Sequence, residues 1–155
     1  MNITVISVGK IKEKYFTAAI DEYSKRLSRF AKLNIIEVAD EKIPDNASEK
    51  EMEQIKEKEG NKILAKLPQN SFVVTLCIEG KEYSSEELAK KIADISMTSS
   101  HITFIIGGSL GLSDTVKSKS ALRLSFGKMT LPHQLMRVVL LEQIYRAFKI
   151  NNNES

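Results

Sequence analysis

His133 and Arg137 lie four residues apart, so they share one face of a helix opening at Pro132, near its first turn. At the positive end of such a helix an imidazole resists protonation, and a guanidinium can fork a phosphate or an anionic base. His133 reads equally as a capping or packing residue beside a turn. Further upstream, HITFIIGGSLGLSD sets Gly107, Gly108 and Gly111 directly after a run of β-favouring residues. Such a loop lets the backbone come close to a flat or bent ligand, although two adjacent glycines also suit a plain tight turn. It is not a dinucleotide fingerprint, because Ile106 occupies the place of the first glycine in Gly-x-Gly-x-x-Gly. Nor is it a P-loop, because Leu112, not a lysine, follows Gly111.

Other reactive residue types are accounted for without chemistry. Cys77 is the one cysteine; set within VVTLCIE, it reads as a small buried hydrophobe. With it and two histidines, His101 and His133, no zinc-ligand spacing exists and no metal is expected. His101 precedes a strand and reads as structural. Ser109 has no base partner to make it a nucleophile. Ser48 with Glu51, and Ser84 with Glu87, have capping-box spacing and mark helix starts. Glu142 and Arg146, again four apart, suit an intrahelical or intersubunit ion pair.

The elements that must position these residues alternate. Strand-length apolar runs cover Ile3–Val8, Leu33–Val38, Ser71–Ile78, His101–Gly107 and Ala121–Phe126, with helix-period segments between them. This predicts an α/β fold with a mainly parallel sheet flanked by helices. In such a sheet ligands settle beyond the carboxyl ends of strands, so the exits at Leu76, Gly107 and Phe126 are expected to converge on one pocket. The stripe Tyr15, Phe16, Ala19, Ile20, Tyr23, Leu27 predicts an amphipathic helix. The segment DEKIPDNASEKEMEQIKEKEG mixes both charge signs and reads as a solvated helix face. The last helix, from Pro132 to about Ile150, is apolar over much of its surface. It needs cover beyond the sheet, which a second copy of the chain in a homodimer would supply.

The bulk numbers agree with one soluble domain spanning residues 1–155: 42% hydrophobic and 28% charged residues, and a net charge of +3. The excess is local. From Asp114 to Lys149 seven bases face two acids, so the C-terminal part is the basic part. The opening MNITVISVGK has neither the basic region nor the apolar run of a signal peptide, and no stretch reaches membrane-spanning length, so a cytoplasmic location without membrane contact is expected.

Four segments together, ITVISVGKIKEKY, KEKEGNKILAKL, IIGGSLGLS and LSFGKMTLPHQLMRVVLLEQIYRAFKI, closely resemble the bacterial large-subunit ribosomal RNA pseudouridine N3-methyltransferases, a branch of the SPOUT superfamily. The resemblance covers nearly the whole chain. It implies a C-terminal trefoil knot, an obligate homodimer, and S-adenosylmethionine as methyl donor, with pseudouridine of 23S rRNA in the assembled ribosome as substrate. Threading of this kind is otherwise nearly absent from folds. Carried over residue by residue, the donor's pocket falls on Leu76, Gly107, Gly108 and the run Phe126, Gly127, Lys128, Met129, Thr130, Leu131, with Lys128 contributing its backbone. A branched side chain at Gly108 is then expected to stand where the ligand must approach. From their spacing and place on the last helix, and not from the resemblance, His133 and Arg137 are the expected catalytic pair, with Arg137 contacting the RNA through phosphate or an anionic base. Rival readings are a ribosome-binding protein that keeps the fold without turnover, and a nucleotide-binding domain unrelated to RNA.

The resemblance also implies a short tail ending in Pro-Tyr-His and a basic residue, reaching the active site. Here Ile150 is followed by Asn151-Asn152-Asn153-Glu154-Ser155. With no ring to stack on a base, this end is expected to leave donor binding intact and weaken methylation.

Overall fold

The computed structural model describes residues 1–154. Its elements in chain order are β1 (Asn2–Val8), α1 (Lys14–Leu27), β2 (Lys32–Val38), α2 (Glu49–Lys66), β3 (Phe72–Glu82), α3 (Ser85–Ser96), β4 (His101–Ile106), α4 (Asp114–Ser118), β5 (Leu122–Ser125) and α5 (His133–Asn151). The five strands form one sheet in the order β2-β1-β4-β3-β5, every pair parallel. All carboxyl ends therefore point the same way.

Strands β1 and β4, both interior to the sheet, are apolar on both faces, as a parallel strand covered on both sides must be. Ile3, Val5, Ile102, Phe104 and Ile106 face one core with Leu27 of α1, Leu88 and Ile92 of α3, and Leu140, Leu141 and Ile144 of α5. Ile6, Val8 and Ile105 face a second core with Ile63 of α2 and Val116 of α4. The sheet thus carries α1, α3 and α5 on one side and α2 and α4 on the other. Both capping boxes form: Ser48 and Ser84 accept from the amides of Glu51 and Glu87, whose carboxylates reach back to the cap amides.

Two departures from the sequence reading bear on the site. Strand β3 runs on to Glu82, but Leu76 and Lys81 both lie opposite Leu124 of β5, so residues 77–80 loop outward between them. The second is α4, a single turn after the glycine loop, capped by Ser113 Oγ, which accepts from the Val116 amide at 3.3 Å. Its five residues are too few to show helical periodicity. His101 proves structural, its Nε2 2.7 Å from Thr4 Oγ1 on the neighbouring strand.

Candidate functional site

Where β4 and β5 end and β3 breaks register with β5 after Leu76, a cavity of about 690 Å³ opens against the first turn of α5, within the size range of small-molecule sites. Of the positions expected to hold the donor, Leu76, Gly107, Gly108, Phe126, Gly127, Met129, Thr130 and Leu131 line it, together with His133. Lys128 does not line it; its side chain is exposed to solvent. Cys77, Ile78 and Met136 also contribute to the wall. The first two arrive through the outward loop in β3, which no residue pattern in the sequence signals.

The walls are loops because the local chemistry ends each strand. The Gly111 amide donates to the Gly108 carbonyl at 3.0 Å, closing the glycine loop into a tight return. At the other wall Ser125 Oγ accepts from the Gly127 amide at 3.1 Å, and Gly127 takes φ +121°, a conformation that favours glycine. Main-chain groups of both loops, with Ser125, Thr130 and His133, consequently border a slot whose other walls are mostly apolar, which fits a ligand with an aromatic base and a zwitterionic end.

The glycine loop is crowded from behind and open in front. A Cβ on Gly107 would lie 2.8 Å from the Gly111 carbonyl carbon, and one on Gly108 would lie 3.1 Å from Val8 Cγ1 and 3.4 Å from Glu59 Oε1. The expectation that a side chain at Gly108 would project into the ligand is thereby corrected: it would strike Val8 and Glu59, forcing the loop forward.

Glu59 went unnoticed in the sequence because its segment reads as a solvated face. It is only 5% exposed. Its Oε2 accepts from the Glu41 amide at 3.0 Å, while Oε1 is buried without a partner. Burial pushes this carboxyl up, opposed by the Glu41 hydrogen bond and reinforced by Asp40 and Glu41. The folded protein therefore holds the Glu59 proton more tightly than the unfolded chain, and stability is lost as pH rises from the ordinary value through the raised one. Glu59→Gln, which cannot ionise, is expected to match wild type in thermal denaturation at pH 4 and to exceed it at pH 7.5. A difference that stays constant with pH would overturn this assignment.

His133 is half-buried at the cavity's edge, and burial above all, with Arg137 second, lowers its pKa against a smaller opposing pull from Asp40. The ring is therefore neutral at physiological pH and able to accept a proton. The outcome for Arg137 differs from the sequence reading. It is 3% exposed and turned inward. Its Nη1 donates to Glu37 Oε2 at 2.6 Å, and its Nη2 to the Val8 and Gly9 carbonyls at 3.0 and 2.6 Å. Here the guanidinium is a strut between α5 and the ends of β1 and β2, and is not presented to phosphate. The spacing that put it beside His133 cannot distinguish outward from inward, because its acceptors are 100 and more residues away in the chain.

Glu142 and Arg146 form the ion pair, at 2.6 Å. Residues 152–154 cap α5: the Asn153 and Glu154 amides donate to the Ile150 and Lys149 carbonyls at 3.0 and 2.8 Å, with Asn153 at φ +56°, a Schellman motif. Glu154 pairs with Arg29. Ser155 lies outside the described residues. Among the described residues no group of three or more His, Cys, Asp or Glu is arranged to hold a metal ion, and no helix is long and apolar enough to cross a membrane.

This architecture recurs in solved structures. A methyltransferase from Legionella pneumophila determined with bound SAM superposes with TM-score 0.53 at 14% identity, over 96% of this chain and 66% of that one. The tRNA (m1G37) methyltransferase of Aquifex aeolicus superposes with TM-score 0.54 at 13% identity, over 94% of this chain and 70% of that one. Sequence similarity is far closer elsewhere. The ribosomal RNA large subunit methyltransferases H of Clostridioides difficile and Clostridium novyi are 60% and 62% identical over 155 residues, covering 99% of this chain and 98% of each relative. The family described as "Predicted SPOUT methyltransferase" matches residues 1–155. With that match spanning the sequence, and a cavity at the carboxyl edge of its parallel sheet, the chain belongs to the SPOUT methyltransferase family.

Proposed function

We propose that this protein, as a single SPOUT domain, methylates N3 of a pseudouridine in 23S rRNA of the assembled ribosome, with S-adenosylmethionine as donor. The observation that carries the reading is the cavity itself: two main-chain loops with glycine at 107, 108 and 127, in a chain whose close relatives are named as large-subunit rRNA methyltransferases. When bound, the donor supplies an electrophilic methyl whose bond to sulfur breaks as the bond to N3 forms, the N3 proton leaving to a base.

The chain's own residues orient and shield. Gly107, Gly108 and the loop from Phe126 to Leu131 would hold the donor. Leu76, Ile106 and Met136 exclude water from the slot. His133, kept neutral, is the group at the rim able to receive the N3 proton. Arg137 acts through position, fixing the start of α5 against β1.

The knot is part of this proposal. Strand β5 lies at one edge of the sheet, yet α5 touches Val8 and Gly9 at the end of β1, so the segment after β5 crosses the exits of β3 and β4 beside the glycine loop. Such a crossing is what threading requires. The homodimer draws support from Leu135, Val138 and Val139 of α5, which remain only half-buried within one chain. The cytoplasmic location follows from a ribosomal substrate.

Incubating the protein with tritiated S-adenosylmethionine and ribosomes lacking the modification is expected to label 23S rRNA at one pseudouridine, with a dimeric mass by light scattering. Ribosome binding without label would instead identify a non-catalytic binder.

A further inference from the structure

We propose that the β1–α1 connection from Lys10, together with the first residues of α1 as far as Tyr15, is a preformed strip that docks the RNA substrate through its phosphates and one stacked base. The inference rests on the proposed rRNA substrate and adds which surface takes it. Along this strip exposure alternates: Lys10, Lys12 and Lys14 are exposed, while Ile11 and Glu13 between them are half-buried. Residues 10–13 are a ribbon outside regular secondary structure, ending at Glu13 in an extended conformation (φ −75°, ψ 128°), and Lys14 is the first residue of α1, so the three cations run from the connection onto the opening turn of the helix. Among the described residues none of the three lysines has an ion-pair partner within 4.0 Å. Tyr15, 69% exposed, extends the row with an aromatic face braced on Phe16 at a ring separation of 4.6 Å.

Two further observations place the strip and hold it. It starts one residue after Gly9, where a Cβ would lie 3.9 Å from His133 Nε2, so it begins beside the histidine at the cavity's edge. The ribbon is also pinned: Glu37 Oε2, held by Arg137, accepts from the Ile11 amide at 3.2 Å. The nearby acids do not cancel the lysines. Glu37 is engaged by Arg137 and Ile11 and Glu41 pairs with Lys62; half-buried Glu13 is the one acid within the row, against three lysines, and Asp40 is the exposed acid near His133. A row of unpaired cations ending in an exposed ring is the chemistry of single-stranded RNA recognition.

The test uses the triple variant Lys10→Ala/Lys12→Ala/Lys14→Ala, the single variants Tyr15→Ala and Tyr15→Phe, and a control triple of exposed lysines on α2 and α3, Lys50→Ala/Lys58→Ala/Lys90→Ala. Probes are bare 23S rRNA and unmodified ribosomes in filter binding across a salt series, with S-adenosylmethionine binding measured by calorimetry. The strip triple is expected to weaken binding at least about 10-fold and to shallow the slope of log K on log salt by about two to three, near one for each phosphate no longer neutralised. Tyr15→Ala is expected to weaken it roughly 10-fold, with Tyr15→Phe close to wild type. Donor binding stays unchanged throughout. The proposal is overturned if the control triple matches the strip triple, if wild type binds neither probe, or if the drop in affinity is independent of salt, which would indicate an uncharged protein surface on the ribosome as the partner. Salt-dependent binding that vanishes in the strip triple, with no methyl transfer by wild type, would uphold the strip and refute the catalytic reading.

Discussion

Gly107→Ala is expected to lower the affinity for S-adenosylmethionine between about 5- and 150-fold while leaving the secondary structure intact. The added Cβ would lie 2.8 Å from the Gly111 carbonyl carbon, 3.0 Å from its oxygen and 3.1 Å from Leu112 Cγ. Two of these are backbone atoms, and Leu112, 5% exposed, is fixed in the second core. Neither can yield cheaply, so the loop must open and the Gly111-to-Gly108 hydrogen bond stretch. Overpacking of this kind costs roughly 1–3 kcal/mol, and that cost falls on the loop which must close around the ligand, giving the stated range. Gly111→Asn is the instructive contrast. Gly111 has φ +84° but nothing within 4 Å of an added Cβ, and asparagine tolerates that conformation. Calorimetry on both variants checks the pair. Equal losses would mean that the crowding behind Gly107 does not set the pocket's shape.

Arg137→Ala is expected to cost stability first and activity as a consequence, about 3 kcal/mol of unfolding free energy. The substitution strands the Val8 and Gly9 carbonyls, leaves Glu37 without its 2.6 Å partner, and empties a buried volume at the head of α5. Arg137→Lys should recover only part of the loss, because one ammonium cannot reach three acceptors in the planar arrangement of a guanidinium. Urea denaturation reads this directly. If Arg137→Ala were as stable as wild type and bound donor normally while methylation alone collapsed, the guanidinium would have to leave its strut and meet RNA.

Those two residues also show how far the sequence could be read. Strand ends at Gly107 and Phe126 were legible because apolar runs stop there at glycine, and parallel sheets gather such ends on one edge; Leu76 reaches the same pocket although β3 runs on to Glu82. The caps at Ser48 and Ser84 were legible because both partners lie within one helical turn. Inward or outward orientation was not. Arg137 and Glu59 are charged residues in charged or basic stretches, and what buries them is contributed by Val8, Gly9, Glu37, Glu41 and Gly108, residues remote in sequence. The outward loop at 77–80 was equally hidden, since it arises from how β3 meets β5 and leaves no trace in either strand alone.

The strand order sets a schedule for the growing polypeptide. Strand β1 can pair with β2 once residue 38 is available, but its other edge is completed only by β4, which ends at Ile106. Roughly 70 residues must therefore be synthesised while a strand apolar on both faces waits with one edge open, several seconds at ordinary elongation rates. An open apolar edge is a template for pairing with the wrong chain. Nascent chains stalled between these two points are therefore the form of this protein most dependent on chaperones, and slowing elongation across residues 40–106 is the change most apt to divert it into aggregates.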